Sequence, residues 1–476
     1  MPRRPYPLFE NVTIIDAGAE GKAVARVDEL VVFVPFAVPG DVVDIQVVAR
    51  KKSFCEGRVT LYHKYSERRI EAFCSHFGTC GGCKWQNMSY EDQLMYKQKQ
   101  VDDVFQRIGK FEYPAIRPIL PSGQSTYYRN KLEYTFSNRR WLDREDMQLP
   151  AEERQMNALG FHIPQLFDRI LDIDHCYLQP EPSNAIRLAV RAYAMEQGLE
   201  FYDARTHTGF LRNIIIRNTT TGQVMVIVVF ARNDREDIEG MMHFIKSSFP
   251  VVASLMYVIN EKHNDVITDQ EVLLWSGDPF LLETMPDPVG EGKILKFRIG
   301  PISFFQTNPK QAWHLYKTAF DLSGFTGSEV VYDLYCGTGT ISNFIAHAVK
   351  EVVGIEYVES AISDAHVNSE INNIKNTRFY AGDLAKELTA EFVALNGKPD
   401  VIITDPPRSG MHEKVIKQIL EIAPQKVVYV SCNPATQARD IALLGEKYSV
   451  ADVQPVDMFP HTHHVENVVL LKLTEK

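Results

Sequence analysis

The chain has 476 residues, 45% of them hydrophobic, with 51 Lys and Arg against 61 Asp and Glu and a formal net charge of −10. This length accommodates two to four domains of ~100–200 residues, and the acidic balance excludes a protein that coats nucleic acid indiscriminately. No run approaches the roughly 18 to 20 apolar residues that span a bilayer, and MPRRPYPLFENV lacks a signal peptide's apolar core, so a cytoplasmic protein without a membrane partner is expected.

From Val12 to about Thr60 the apolar residues come in five short runs, NVTIID, GKAVARV, ELVVFVPF, DVVDIQVVAR and EGRVTLYHKY, separated by Gly, Pro and acidic turns. Five such strands predict a small barrel over residues 1–64. AGAEGKAVARV followed by FVPFAVPGDVV resembles the TRAM domain, an OB-like barrel found on RNA-modifying enzymes. Residues 1–140 hold 21 Lys and Arg against 16 Asp and Glu, reversing the sign of the whole chain. Clusters at Arg50-Lys51-Lys52, Arg68-Arg69 and Arg139-Arg140 lie near Phe54, Tyr62, Tyr65 and Trp141, a mixture suited to holding phosphates and stacking bases.

A central α+β region is predicted over residues 65–293. Three of the seven cysteines crowd into Cys74-Ser-His-Phe-Gly-Thr-Cys80-Gly-Gly-Cys83, and Cys176 in DIDHCYLQP is the candidate fourth ligand. In a reducing compartment such crowding favours metal over disulfides. The three-plus-one spacing with intervening glycines favours a [4Fe–4S] cluster over zinc. His76 and His175 adjoin these cysteines and are expected to be solvated. EDQLMYKQKQVDDVFQRIG carries Leu94, Val101, Val104, Phe105 and Ile108 at helical spacing, predicting a connector helix from a Ser89 cap to a Gly109 stop, about residues 89–109. Beyond it, LEYTF, NALGFHI, LRNIIIRN, GQVMVIVVF and ASLMYVIN predict an antiparallel sheet, with one helix around Ser183–Gln197.

Over residues 294–476 strands and helices alternate, the pattern of a parallel, Rossmann-like α/β domain. VVYDLY, EVVGIEY, NTRFYAGD, PDVIITD, KVVYVSC and NVVLLKLT are the strand candidates. DLYCGTGT is a strand entering a glycine turn, and Glu356 ends the next strand 23 residues after Asp333, where an acid binds ribose hydroxyls. Ser342 stands where a dinucleotide fingerprint has its third glycine, which fits S-adenosylmethionine better than a pyrophosphate. Asp383, after the third strand, is placed where such folds bind an adenine amino group. TDPPRSG and VVYVSCNP close two further strands with Asp405 and Cys432. A cysteine at a strand mouth followed by Asn-Pro is read as a reactive thiolate.

FFQTN (304–308), DLYCGTGT, TDPPRSG, SCNP and FPHTHHVENVVLL (459–471) together resemble the RNA uracil-5-methyltransferase family, most closely its 23S rRNA branch. The chain departs from that pattern at CKWQN, where relatives often show a histidine after the glutamine, and at Thr340, where many have asparagine. The resemblance implies that Gln306, Tyr335, Glu356 and Asp405 contact S-adenosylmethionine, that Cys432 is the nucleophile and that Glu466 is the base. It implies a monomeric enzyme acting on structured RNA, 23S rRNA first and tRNA as the alternative. A non-catalytic RNA-binding scaffold and a redox sensor built on the cysteines are the readings from other classes. His461, His463 and His464 are expected to be solvated or to face substrate, and Arg408 to contact RNA.

Overall fold

The computed structural model describes residues 6–474 except Glu291; the leading MPRRP lies outside them. Strands β1 (Leu8–Ala17), β2 (Ala23–Val27), β3 (Leu30–Val34), β4 (Val42–Arg50) and β5 (Phe54–Lys64) form a closed barrel in the order β1-β2-β3-β5-β4. Alternation fills it: Val43, Ile45 and Val47 of β4 point inward with Ile14, Ala25 and Val32. Closure leaves no edge strand free.

Helix α1 (Tyr90–Val104) begins where the sequence places it, with the Asp92 N–H donating to Ser89 Oγ at 3.1 Å. Its end differs. The helix runs into a wider turn, Phe105–Gly109, and the left-handed residue that releases the chain is Lys110, φ 54°. Gly109 serves packing instead, because a Cβ there would lie 2.4 Å from the Phe111 ring folded back over it.

The central sheet comprises β6 (Lys131–Ser137), β7 (Ala158–His162), β8 (Ile170–Asp172), β9 (Leu211–Asn218), β10 (Val224–Phe230), β11 (Val252–Ile259) and β12 (Leu273–Gly277), ordered β12-β11-β10-β9-β6-β7-β8. Helix α2 (Ser183–Glu196) is the expected one. A second helix, α3 (Arg235–Ser248), was not anticipated; it buries Ile238, Met241, Met242 and Ile245. It is required because β10 and β11 pair in parallel, and parallel neighbours need a crossover. The sheet is therefore mixed. The hairpin β13 (Leu281–Pro286) and β14 (Ile294–Ile299) follows. Its Met285, Leu295, Phe297 and Ile299 share one core with Val331 and Val352, so the packed C-terminal unit begins before residue 294.

That unit continues through α4 (Pro309–Ser323), β15 (Val330–Leu334), α5 (Thr340–Ile345), β16 (Glu351–Glu356), α6 (Glu359–Ile371), β17 (Thr377–Ala381), α7 (Leu384–Glu387), α8 (Ala390–Asn396), β18 (Val401–Thr404), α9 (Glu413–Ile422), β19 (Lys426–Ser431), α10 (Pro434–Leu444), β20 (Tyr448–Val456) and β21 (Glu466–Leu473). The strand order is β17-β16-β15-β18-β19-β21-β20. The first five are parallel, whereas β21 runs antiparallel to both neighbours. β20 was not among the expected strands. The order reverses between β15 and β18, which opens a crevice beyond their carboxyl ends. Helix α1 packs Val101 and Phe105 into the core containing Ala438 and Ile441 of α10. Trp85 donates its indole N–H to Gly21 O of the barrel at 3.2 Å.

β7 and β8 approach too closely for a side chain at Gly160, where a Cβ would lie 2.0 Å from Leu171 O. Gly160→Ala is expected to destabilise the protein by about 1–3 kcal/mol, read as a lower urea midpoint.

Candidate active site

Four chemistry-bearing residues meet at the carboxyl edge because the strand order brings their strands side by side. Asp333 lies near the end of β15, Asp405 follows β18, Cys432 follows β19 and Glu466 opens β21. The last register is informative. Ser431, the last residue of β19, pairs with Asn467 of β21, so Cys432 and Glu466 lie one position beyond the last pair of the ladder. Their proximity shows in the charge that Glu466 exerts on the Cys432 thiol. Glu466 is also opposite Val456 of β20 and only 4% exposed.

Burial sets the protonation of this group. Desolvation, reinforced by Asp405 and opposed by Arg408, pushes Glu466 up to about 8. Asp405 rises to about 7 through burial and the charge of Asp333. Asp333 also rises to about 7, mainly through burial, with its hydrogen bonds to Ser342 opposing. Cys432 is pushed up to about 11 by burial, Glu466 and Asp405, with Arg408 pulling the other way. Burial first, and then the two acids beside the sulfur, favour the thiol over the thiolate at Cys432.

The glycine turn is built for close approach. Tyr335, Gly337 and Gly339 have φ of 64°, 53° and 70°, and a Cβ on Gly337 would meet nothing within 4 Å. Ser342 occupies the third-glycine position because its Oγ donates to the fully buried Asp333 at 2.5 Å. Glu356 accepts the Gly337 and Val358 N–H groups at 3.2 and 3.0 Å, which fixes its carboxylate against the turn. Asp383 caps α7, accepting from Ala385 N at 3.1 Å. Gln306 is buried on the segment leading into α4, and its carbonyl accepts from Asn130 Nδ2 at 3.2 Å. Arg408 is exposed, while its carbonyl accepts from Asn433 Nδ2 at 2.9 Å, tying the PPRSG loop to the cysteine turn.

Cys74, Cys80, Cys83 and Cys176 are all free thiols lining one cavity of about 730 Å³. Among the described residues no group of three or more His, Cys, Asp or Glu has metal-holding geometry. The donor set nevertheless suits a soft metal group: each thiol is raised by burial, to about 12 for Cys83, where its three neighbours add to the effect. The Gly82 N–H already points at Cys80 Sγ at 3.4 Å. The flanking histidines are not simply solvated. His76 Nε2 accepts from Asp174 N at 2.9 Å and His175 Nε2 is 3.0 Å from the Tyr127 hydroxyl.

Of the three histidines on the loop before Glu466, His461 departs from the expectation of a solvated or substrate-facing side chain. His461 is buried, while His463 and His464 are half-buried and His464 lines the cavity of the cysteines; burial lowers all three, to about 4, 4 and 3 respectively, which favours the neutral imidazole. Sequence reasoning also missed the groups that hold this loop, Tyr90, Gln93, Lys97 and Asp457. Their signal was weak, since charged residues on a connector helix read as a solvated face.

A family model described as tRNA (Uracil-5-)-methyltransferase matches residues 281–474, beginning at the first residue of β13, and a TRAM domain model matches residues 10–60. An uncharacterized RNA methyltransferase of Bacteroides thetaiotaomicron is 54% identical, covering 96% of this chain and 99% of its own. One from Porphyromonas gingivalis is 52% identical over 96% and 98%. The chain belongs to the RNA uracil-5-methyltransferase family. Among solved structures, the Pyrococcus abyssi tRNA (uracil-54, C5)-methyltransferase in complex with S-adenosyl-L-homocysteine superposes with a TM-score of 0.72 at 26% identity, covering 97% of this chain and 100% of that one. No described helix is long and apolar enough to cross a membrane.

The raised acids of this family member carry a stability consequence. A carboxyl favoured in its neutral form by folding stabilises fully below its unfolded value near 4.5, and that contribution is lost as pH rises through about 8. Glu466→Gln removes the loss. The variant should match the parent near pH 5 and exceed it by on the order of 1–3 kcal/mol near pH 9, measured by denaturant titration at both values.

Proposed function

We propose that this protein methylates carbon 5 of a uridine in structured RNA through a covalent adduct between Cys432 and carbon 6 of the base. The observation that carries the reading is that Cys432 and Glu466 lie one position beyond the last β19–β21 pair, Ser431 with Asn467, close enough for Glu466 to act on the thiol. S-adenosylmethionine supplies the methyl group, and Gln306, Tyr335, Glu356, Asp383 and Asp405 are the residues assigned to holding it. Carbon 5 of uracil is a poor nucleophile toward a sulfonium methyl. Addition of the Cys432 sulfur to carbon 6 turns carbon 5 into an enolate-like centre. Burial and the neighbouring acids favour the neutral thiol, so its proton passes to solvent water as the carbon–sulfur bond forms, leaving the negative charge on the enolate-like base. After transfer, the Glu466 carboxylate removes the carbon-5 proton, and the electron pair left behind expels the Cys432 sulfur. Base extrusion from folded RNA precedes these steps. The barrel adds a stacked pair, Tyr62 and Tyr65 with centroids 4.9 Å apart, beneath the Arg69 guanidinium, a surface suited to RNA.

The preferred substrate is 23S rRNA, on the motif resemblance and the cysteine-bearing central region. The likeness to a tRNA (uracil-54, C5)-methyltransferase favours tRNA as the second reading. Mapping 5-methyluridine in rRNA and tRNA from cells lacking the protein separates them, and loss from neither RNA would overturn both. Cys432→Ala should bind RNA and S-adenosylmethionine yet lose methylation by at least ~10³-fold. Glu466→Gln should accumulate a denaturation-resistant protein–RNA adduct carrying labelled methyl, and normal turnover in that variant would remove Glu466 as the base. The parent enzyme's rate should climb with pH through about 8 as Glu466 ionises.

Cys74, Cys80, Cys83 and Cys176 are proposed to hold a [4Fe–4S] cluster, which would neutralise thiolate charge and cross-link the Cys74–Cys83 loop to the segment before α2. Anaerobically purified protein should be brown with about four irons per chain. Stoichiometric zinc in a colourless protein would overturn this assignment.

A further inference from the structure

The nine residues between β20 and Glu466 form a loop with an unusual density of fixed points. Four successive carbonyls are each claimed from another element. Met458 O accepts from Asn308 Nδ2 at 3.0 Å, Phe459 O from Lys97 Nζ at 2.9 Å, Pro460 O from the Tyr128 hydroxyl at 3.0 Å, and His461 O from Lys84 N and Trp85 N at 2.8 and 3.1 Å. His461 itself has φ 65° and donates its N–H to Gln93 Oε1 at 2.8 Å. The loop starts at Asp457, whose carboxylate is fully buried and makes three hydrogen bonds: to Lys97 Nζ at 2.6 Å, the Tyr90 hydroxyl at 2.8 Å and Phe459 N at 3.0 Å. Lys97 is likewise fully buried.

A buried ion pair contributes little net stability compared with an apolar pair of similar volume. This pair therefore calls for another explanation, and its place supplies one. Val456, the residue before Asp457, is the cross-strand partner of Glu466, so the pair clamps one end of the loop directly beside the residue at the other end. We propose that Lys97 and Asp457, with Tyr90, are positioning residues that hold the 457–465 loop from helix α1 and so set the carboxylate of Glu466 against the adduct. This rests on the reading of Glu466 as the base that follows methyl transfer.

The test uses the full-length protein with Lys97→Met and Asp457→Asn, and reads turnover, S-adenosylmethionine affinity, melting temperature and the fraction of enzyme trapped on RNA carrying labelled methyl. A misplacement near 1 Å costs on the order of 10²-fold in rate. Both variants should turn over ~10–100-fold more slowly, bind S-adenosylmethionine within about twofold of the parent, and accumulate the methylated adduct, because only the elimination step is impaired. Tyr90→Phe, which at constant shape removes the hydroxyl's hydrogen bond to Asp457 and the one it accepts from Ser122 N, should show the same signature in milder form and serves if the buried variants fail to fold. The double variant Lys97→Met, Asp457→Leu should recover melting temperature without recovering turnover. Turnover that returns together with melting temperature, or slow turnover without trapped methylated adduct, would overturn the proposal. If Glu466→Gln itself trapped nothing, the reading of the base would fall instead.

Discussion

Three carboxyl groups gathered at one edge of a sheet, Asp333 and Glu466 buried and Asp405 half-buried, are the constraint around which the C-terminal domain is organised. Asp333 lies on β15, Asp405 follows β18 and Glu466 opens β21, close enough that Asp405 titrates in the field of Asp333 and Glu466 in that of Asp405. Their desolvation is unfavourable to the charged forms, and the fold tolerates it through specific local partners. Ser342 donates to Asp333, and the Arg408 loop brings one cation toward Glu466 and Cys432. The remaining cost appears as carboxyls that titrate near neutrality, where proton transfer is useful.

The antiparallel end of the sheet makes the arrangement work. A uniformly parallel sheet would deliver only strand ends to this crevice, whereas the reversal at β21 delivers a strand beginning. Glu466 is thereby brought beside Cys432. That placement requires the chain to return along the edge as β20 and turn through residues 457–465, and the turn is stabilised by groups from α1, the cysteine loop and the segment before α4 rather than by itself. Domains distant in sequence thus converge on one short loop.

This convergence also explains why the central region packs as it does. The loop bearing Cys74, Cys80 and Cys83 continues directly into Lys84 and Trp85, which donate to His461 O, and Trp85 reaches across to the barrel. His464 lines the same cavity as the four thiols. The cysteine region, the barrel and the catalytic edge are therefore in mechanical contact through a few hydrogen bonds.

Most strands and helices were legible from periodicity, because a residue pattern with period 2 or 3.6 reports which face will be buried whatever it is buried against. The barrel strands, the Ser89 cap, α2 and the strand ends carrying Asp405 and Cys432 follow from such local rules, and the cysteine cluster follows from spacing. What the sequence could not determine depends on partners far along the chain. The parallel pairing that demands α3, the edge strand β20 and the attachment of the β13–β14 hairpin to the C-terminal core depend on which strand lies beside which. So do the directions in which Cys432, His461, His463 and His464 are shifted, since burial and neighbouring charge set them. The ion pair of Lys97 with Asp457 joins residues 360 positions apart. The physical reason is common to all: local pattern encodes which surface must leave water, and only the tertiary structure decides what each buried polar group meets there.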